Sequence, residues 1–74
     1  MVDHTSMTAA ELRTIRTRLG LTQEELGKRL GVRKNTVWRW ETGMRHIPEP
    51  VARLMPYLAK EVKEEQKKRS DHGS

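Results

Sequence analysis

The sequence predicts an all-α domain of four to five short helices. Apolar residues recur three or four positions apart from Leu12 to Val62, and no run alternates as a half-buried strand requires. Two Thr-x-x-Glu sequences, at Thr8 and Thr22, are typical of helix starts, and glycines follow the apolar runs where helices would end. With 74 residues, the chain forms one domain near the lower size limit for a self-sufficient core.

The composition argues against several classes of protein. Without cysteine there is neither a disulfide nor a thiolate metal site, and no segment is apolar enough for a signal peptide or a membrane span. The only aromatic residues are Trp38, Trp40 and Tyr57, so we expect a mainly aliphatic core. The net charge of +5 and the pI near 10.1 favour a polyanionic partner, with nucleic acid first.

The first two helices each begin at a capping box. Thr8 is followed three residues later by Glu11, and Thr22 by Glu25, so that each pair can satisfy two free N–H groups of a helix start. The apolar faces of these helices contain five residues: Leu12, Ile15, Leu19, Leu26 and Leu30. Glycines at 20 and 31 follow the two runs and predict left-handed residues after each helix.

The third helix follows the second after a very short turn. Gly31 allows the reversal, Val37 and Trp40 point inward, and Gly43 ends the run. Gly27 lies inside the second helix, where it costs roughly 0.5–1 kcal/mol relative to Ala. We therefore expect the third helix to cross closely there. Two short helices joined by a glycine turn describe a helix-turn-helix.

The fourth helix follows the break "HIPEP" and carries an apolar stripe. Its residues are Val51, Leu54, Met55, Leu58 and Val62. Pro56 interrupts the stripe without changing its phase, which favours a kinked helix or two nearly collinear ones. We expect this stripe first of all to pack in the core of the domain. Its distal part has few partners in so small a domain, so Met55, Tyr57, Leu58 and Val62 also form a candidate dimer interface.

The chain divides into three segments. Residues 1–6 lack periodicity and predict a flexible arm, and residues 7–62 form the helical domain. Residues 63–74 contain no apolar residue except glycine, and predict a charged, partly disordered tail.

Together these features resemble the lambda-repressor-like (Cro/repressor, XRE-type) helix-turn-helix DNA-binding domains. The resemblance runs from about Leu12 to Leu58 and rests on "IRTRLGLTQEELGKRLGV", on "NTVWRWETG", and on the following proline and apolar helix. It implies a helix-turn-helix core at residues 22–42 whose third helix lies in the DNA major groove. It also implies a salt bridge between Arg16 and Glu41 that fixes the orientation of the helices.

The resemblance further implies which side chains meet DNA. The predicted base contacts are Arg33, Lys34, Asn35, Trp38 and Arg39, because Arg and Lys suit guanine acceptors and Asn suits adenine. The predicted backbone contacts are Gln23, Thr36, Arg45 and His46. Trp40 matches a buried apolar position, whereas Trp38 points about 200° away from it. Trp38 therefore lies on the DNA-facing surface, covers the adjacent helix, or belongs to a protein interface.

One position departs from the family pattern. The family usually places a capping residue just before the recognition helix, and here the candidate is Arg33, whose side chain has no acceptor. Either the helix begins without a side-chain cap, or Asn35 or Thr36 caps a shorter helix. The two alternatives differ in where the helix begins, and therefore in which residues are placed to contact the bases.

The function expected from this resemblance is transcription regulation. We expect a repressor that binds an inverted repeat of double-stranded DNA as a homodimer in a bacterial or phage-infected cytoplasm, associated with the nucleoid. The layout is also similar to small phage regulators encoded beside anti-CRISPR genes. The alternative is an antitoxin whose "KEVKEEQKKRS" tail neutralises a toxin. No nucleophile–base set, metal cluster, cofactor motif or small-molecule site is evident, so we do not expect an enzyme.

Overall fold

Four helices and no strand occur in the part of the chain that the computed structural model describes, residues 7–73, with side chains described for residues 7–68. The helices are α1 (Ala9–Arg18), α2 (Gln23–Leu30), α3 (Lys34–Glu41) and α4 (Glu49–Gly73). The all-α prediction is confirmed, with four helices. The predicted arm at residues 1–6 lies outside the described residues.

Both predicted capping boxes are present. The Thr8 hydroxyl accepts from the Glu11 N–H at 3.1 Å, and the Glu11 carboxylate accepts from the Thr8 N–H at 2.9 Å. At the start of α2, the corresponding distances for Thr22 and Glu25 are 3.0 and 2.8 Å. Each box satisfies two N–H groups that a helix start leaves without intrahelical partners, so these two helices begin where local sequence dictates.

The turn between α2 and α3 depends on two glycines. Gly31 has φ +79°, in the left-handed region that side chains with a Cβ rarely adopt. Gly27 is buried inside α2, and a Cβ built on it would lie 2.6 Å from the Val32 carbonyl oxygen. The close approach at Gly27 is therefore to the backbone that leads into α3, and a larger residue there would push this backbone away.

Arg33 occupies the N-cap position of α3 and makes no side-chain cap. Its backbone is extended, with φ −82° and ψ 159°, and α3 begins at the next residue, Lys34. The alternative in which Asn35 or Thr36 caps a shorter helix is wrong. The recognition helix therefore starts without the side-chain hydrogen bond that α1 and α2 both have.

All four helices contribute to one aliphatic core around a single tryptophan. Trp40 is 4% exposed, and the buried apolar residues around it are Leu12, Leu19, Leu26, Val37, Met55, Leu58 and Val62. The inward phase predicted for Val37 and Trp40 is confirmed.

The structure places three of the four predicted dimer residues inside the monomer. Met55, Leu58 and Val62 are 0–5% exposed and belong to the core, whereas Tyr57 is 71% exposed. The expectation that they have too few partners in this domain is wrong, because one face of α4 covers the apolar side chains of α1, α2 and α3. Among the four, Tyr57 remains as a surface residue.

α4 continues through Pro56 and beyond the boundary predicted at Val62. Its later turns are tied to the domain by Glu65, which accepts from Arg29 of α2 at 2.7 Å, and by Gln66, which donates to the Leu19 carbonyl at 2.8 Å. The second bond satisfies a carbonyl at the C-terminal end of α1. The first part of the predicted tail is thus packed helix, held by contacts that no local pattern displays.

Candidate nucleic-acid interface

The five predicted base-contacting residues lie on the outward side of α3 and at its start. Arg33, Lys34, Asn35, Trp38 and Arg39 are all exposed. Trp38 is 46% exposed, whereas Trp40, two residues later, is buried in the core. One side of this eight-residue helix thus anchors it. The other side, together with Arg33 at the N-cap, presents two guanidinium groups, one ammonium group, one amide and one indole.

These side chains suit the edges of DNA bases. Guanidinium and ammonium groups match the N7 and O6 acceptors of guanine, and an Asn amide matches the N6 and N7 atoms of adenine. An exposed indole offers an apolar surface for the methyl group of thymine. Thr36, predicted to contact the DNA backbone, is half-buried.

Arg16 and Glu41 form a bidentate ion pair between α1 and the end of α3. Arg16 Nε donates to Glu41 Oε2 at 2.6 Å and Arg16 Nη2 donates to Oε1 at 3.0 Å, with side chains 13% and 4% exposed. The same guanidinium donates through Nη1 to the Leu21 carbonyl at 2.9 Å, just before α2. One arginine therefore ties α1 to both arms of the helix-turn-helix.

Gln23 is part of the same network. Its Nε2 donates to Glu41 Oε1 at 3.0 Å, and the side chain is half-buried. Gln23 was predicted as a DNA backbone contact, and its contact with Glu41, 18 residues away, was not predicted. An amide nitrogen carries two N–H groups, so one remains for a phosphate oxygen.

The charge of Glu41 is stabilised in this network. Burial by itself raises the pKa of Glu41, but hydrogen bonds from Arg16 and Gln23 and the positive charges of Arg16 and Arg13 outweigh that effect. The resulting pKa lies below the ordinary value of 4.5. Glu41 is therefore a carboxylate at neutral pH, which holds α3 in place.

Arg13 is a candidate contact that the sequence analysis missed. It is exposed on α1 and lies close enough to Glu41 for its charge to lower the pKa of that carboxyl. It precedes Arg16 by three residues, a spacing that places both on one helix face. This spacing could have been used to predict Arg13 as a contact from the sequence. Arg13 thus adds positive charge near Glu41, the residue that Arg16 and Gln23 also contact.

The loop after α3 is tied to the recognition helix. The Arg39 carbonyl accepts from the N–H groups of both Met44 and Arg45, at 2.9 and 3.3 Å. Arg45 and His46 are exposed, as their predicted role requires, and Met44 is 67% exposed between them and α3. The loop also lines a groove with the start of α1, so its two basic side chains lie near the first described residues, Met7 and Thr8.

Other kinds of site find no support among the described residues. They contain no group of His, Asp and Glu side chains arranged to hold a metal ion. Within residues 7–73, no helix combines the length and apolar character that crossing a membrane requires.

Comparison with known proteins agrees with this geometry. The family model for the helix-turn-helix domain matches residues 9–58, which include all of α1, α2 and α3 and the first part of α4. No curated protein and no solved structure matches the chain. The matched segment is more than half of the sequence and contains the whole candidate interface, so the chain belongs to the helix-turn-helix domain family, which indicates a DNA-binding role.

Proposed function

We propose that this protein is a sequence-specific transcription regulator, most simply a repressor that binds an inverted-repeat operator as a homodimer. The observation that carries the proposal is the exposed side of α3. Basic, amide and indole groups are presented together there, on a helix that the core and the Arg16–Glu41–Gln23 network hold in place. A helix anchored in this way can read base edges because its side chains enter the groove in a fixed register.

The proposed contacts fall into two sets. Base contacts come from Arg33, Lys34, Asn35, Trp38 and Arg39. Backbone contacts come from Gln23, Thr36, Arg45 and His46, to which we add Arg13. Backbone contacts orient the domain and supply salt-dependent affinity, whereas base contacts supply sequence preference.

A homodimer follows from the size of the interface. A single small domain buries about 600–1,000 Å² on DNA, which is little for a specific site. Two copies related by a two-fold axis read two half-sites about one helical turn apart. A dimer bound over a promoter excludes polymerase, so repression needs no further domain. We place this activity in the cytoplasm of a bacterial or phage-infected cell, at the nucleoid.

The regulator is favoured over the antitoxin alternative by the later turns of α4. A segment that wraps around a toxin must be available to it. Glu65 and Gln66 instead contact Arg29 and the Leu19 carbonyl of their own domain.

The test is binding of the full chain to the DNA upstream of its own gene. We expect a fourfold rise in salt from a low value to weaken binding by roughly two decades, because phosphate contacts release counterions. Asn35→Ala and Arg39→Ala should reduce discrimination against random DNA by roughly 1–3 kcal/mol each if the contacts are bidentate. Arg18→Ala, an exposed arginine at the end of α1, is the matched control and should leave discrimination unchanged.

Two results would contradict the proposal. Binding that is insensitive to salt would argue against a DNA partner. If Asn35→Ala and Arg39→Ala both fold and both distinguish the operator from random DNA as well as wild type does, α3 is not the helix that contacts the bases.

A further inference from the structure

The outward face of α4 carries the most exposed aromatic side chain among the described residues. Tyr57 is 71% exposed and Leu54, three residues earlier, is 44% exposed. Met55 and Leu58 beside them are buried, so α4 packs one face on its own domain and directs the ring away from it. A single exposed ring is normal on a monomer and by itself assigns no partner.

The charges beside Tyr57 do point to a partner. Arg53 lies four residues before Tyr57 and Glu61 four residues after it, so all three share one helix face. Arg53 and Glu61 are both exposed. Arg53 donates to Glu49 at 3.0 Å, in a pair whose side chains are 70% and 54% exposed. Along this face the helix thus carries Arg53 with its partner Glu49, then the ring, then Glu61, whose charge also acts on Arg29 of α2.

That order is complementary to itself. When two copies of a helix cross antiparallel about a two-fold axis, residues equally distant from the axis on opposite sides face each other. With Tyr57 on the axis, residue 53 faces residue 61 of the other copy, and the pair occurs twice. Complementary charges matter here because the chain has a net charge of +5 and copies of it repel one another.

We propose that a second copy of this chain docks on α4, with the two helices antiparallel, Tyr57 against Tyr57 of the partner subunit, and Arg53 against Glu61 of the partner subunit on both sides. The proposal rests on the homodimer proposed above and names its surface. Leu54 then packs against the aliphatic stem of Lys60 of the partner subunit. The face of α4 opposite this surface covers the core and is not available to the second copy.

The size of the face sets the strength of the dimer. A stable interface buries about 800 Å² on each partner, and one ring with a half-exposed leucine supplies far less. The free dimer is therefore weak and forms at high protein concentration or when two half-sites bring the copies together.

The experiment is charge reversal in the full chain, followed by sedimentation equilibrium over a wide concentration range. Arg53→Glu and Glu61→Arg each place two like-charge pairs across the axis and should weaken self-association roughly tenfold or more. An equimolar mixture of the two variants should associate about as well as wild type, because every charge-reversed side chain then faces an opposite charge. A purely structural effect of either substitution would not be repaired by mixing.

Lys63→Glu is the matched control. It makes the same charge change as Arg53→Glu, but on the side of α4 that lines a groove with Ile15 and Arg18 of α1. Its self-association should not fall.

Two results would overturn the inference, and they differ in what they leave standing. If wild type associates and both reversals associate equally well, the dimer exists but uses another surface. If wild type stays monomeric at all concentrations and occupies DNA one copy at a time, the α4 interface and the homodimer both fail, while DNA binding by α3 stands.

Discussion

Two tryptophans separated by one residue have opposite roles in α3. Trp40 is 4% exposed and packs in the core, whereas Trp38 is 46% exposed on the outward side. Two positions along a helix correspond to a rotation of about 200°, so the burial of one directs the other outward. The chain has no phenylalanine, and Trp40 supplies aromatic bulk to an otherwise aliphatic core.

Alanine substitutions of Trp40 and Trp38 should have different effects, the first on folding stability and the second on DNA binding. Trp40→Ala removes a buried indole at a cost of roughly 3–5 kcal/mol, which approaches the whole stability of a small domain, so we expect a largely unfolded protein. Trp38→Ala should keep its helix content and melting temperature close to those of wild type and bind DNA more weakly. Circular dichroism melts and a gel-shift titration measure both. A folded Trp40→Ala beside an unfolded Trp38→Ala would contradict the helical phase.

The start of α3 differs from the starts of α1 and α2. The earlier helices have capping boxes, whereas Arg33 satisfies no N–H group of α3 with its side chain. A missing cap costs about 1 kcal/mol. Arg33 is instead a candidate base contact. A capping residue at position 33 would stabilise the helix, whereas arginine there can contact DNA.

Arg33→Ser should make the helix more stable and DNA binding weaker. A serine hydroxyl can accept from an N–H of the first turn, so we expect the unfolding free energy to exceed that of Arg33→Ala by roughly 0.5–1 kcal/mol. Both variants lose the guanidinium group and should bind DNA more weakly to a similar degree. Urea unfolding and DNA titration of the two variants make the comparison. Equal stability of the two would show that a cap at this position adds nothing.

One polar network joins three of the four helices. Arg16 of α1, Gln23 of α2 and Glu41 of α3 meet at Glu41, and Arg16 also bonds the carbonyl before α2. Because these groups are largely buried, the network holds the recognition helix at a fixed angle to the first two helices. Its net contribution to stability is smaller than the cost of breaking it, since one partner would remain buried without its counter-charge.

Glu41→Gln should therefore weaken the fold in a way that depends on pH. At neutral pH we expect a loss of roughly 1–3 kcal/mol, the cost of leaving a buried polar group without its partner. The folded pKa of Glu41 lies below its ordinary 4.5, so the stability due to its charge is present above that value and is lost as pH falls through the folded pKa. Urea unfolding from about pH 7 to pH 3 should show the gap between variant and wild type narrowing below pH 4.5.

The control for net charge is Glu64→Gln, which removes one carboxylate at an exposed position on α4. If the difference in unfolding free energy between wild type and Glu41→Gln stays constant down to the lowest pH, the carboxylate charge is not the cause of that difference.

The local features of this protein follow from residues that lie close together in the chain. Both capping boxes, the left-handed glycines after the first three helices and the opposite phases of Trp38 and Trp40 follow from residues within about four positions of one another. Such features depend on hydrogen bonds and side-chain directions inside one turn, which neighbouring residues set. The outward side of α3 was predictable for the same reason.

The long-range partners depend instead on how the helices pack. Gln23 and Glu41 are 18 residues apart, Arg29 and Glu65 are 36 apart, and Leu19 and Gln66 are 47 apart. Periodicity shows which face of α4 is apolar but not what covers it. The sequence therefore left Met55, Leu58 and Val62 open between core and interface, and it did not show which residues contact α4 beyond Val62. Packing of α4 across the other three helices buried those residues, extended the ordered helix and left Tyr57 outside, because burial depends on which surfaces meet in space.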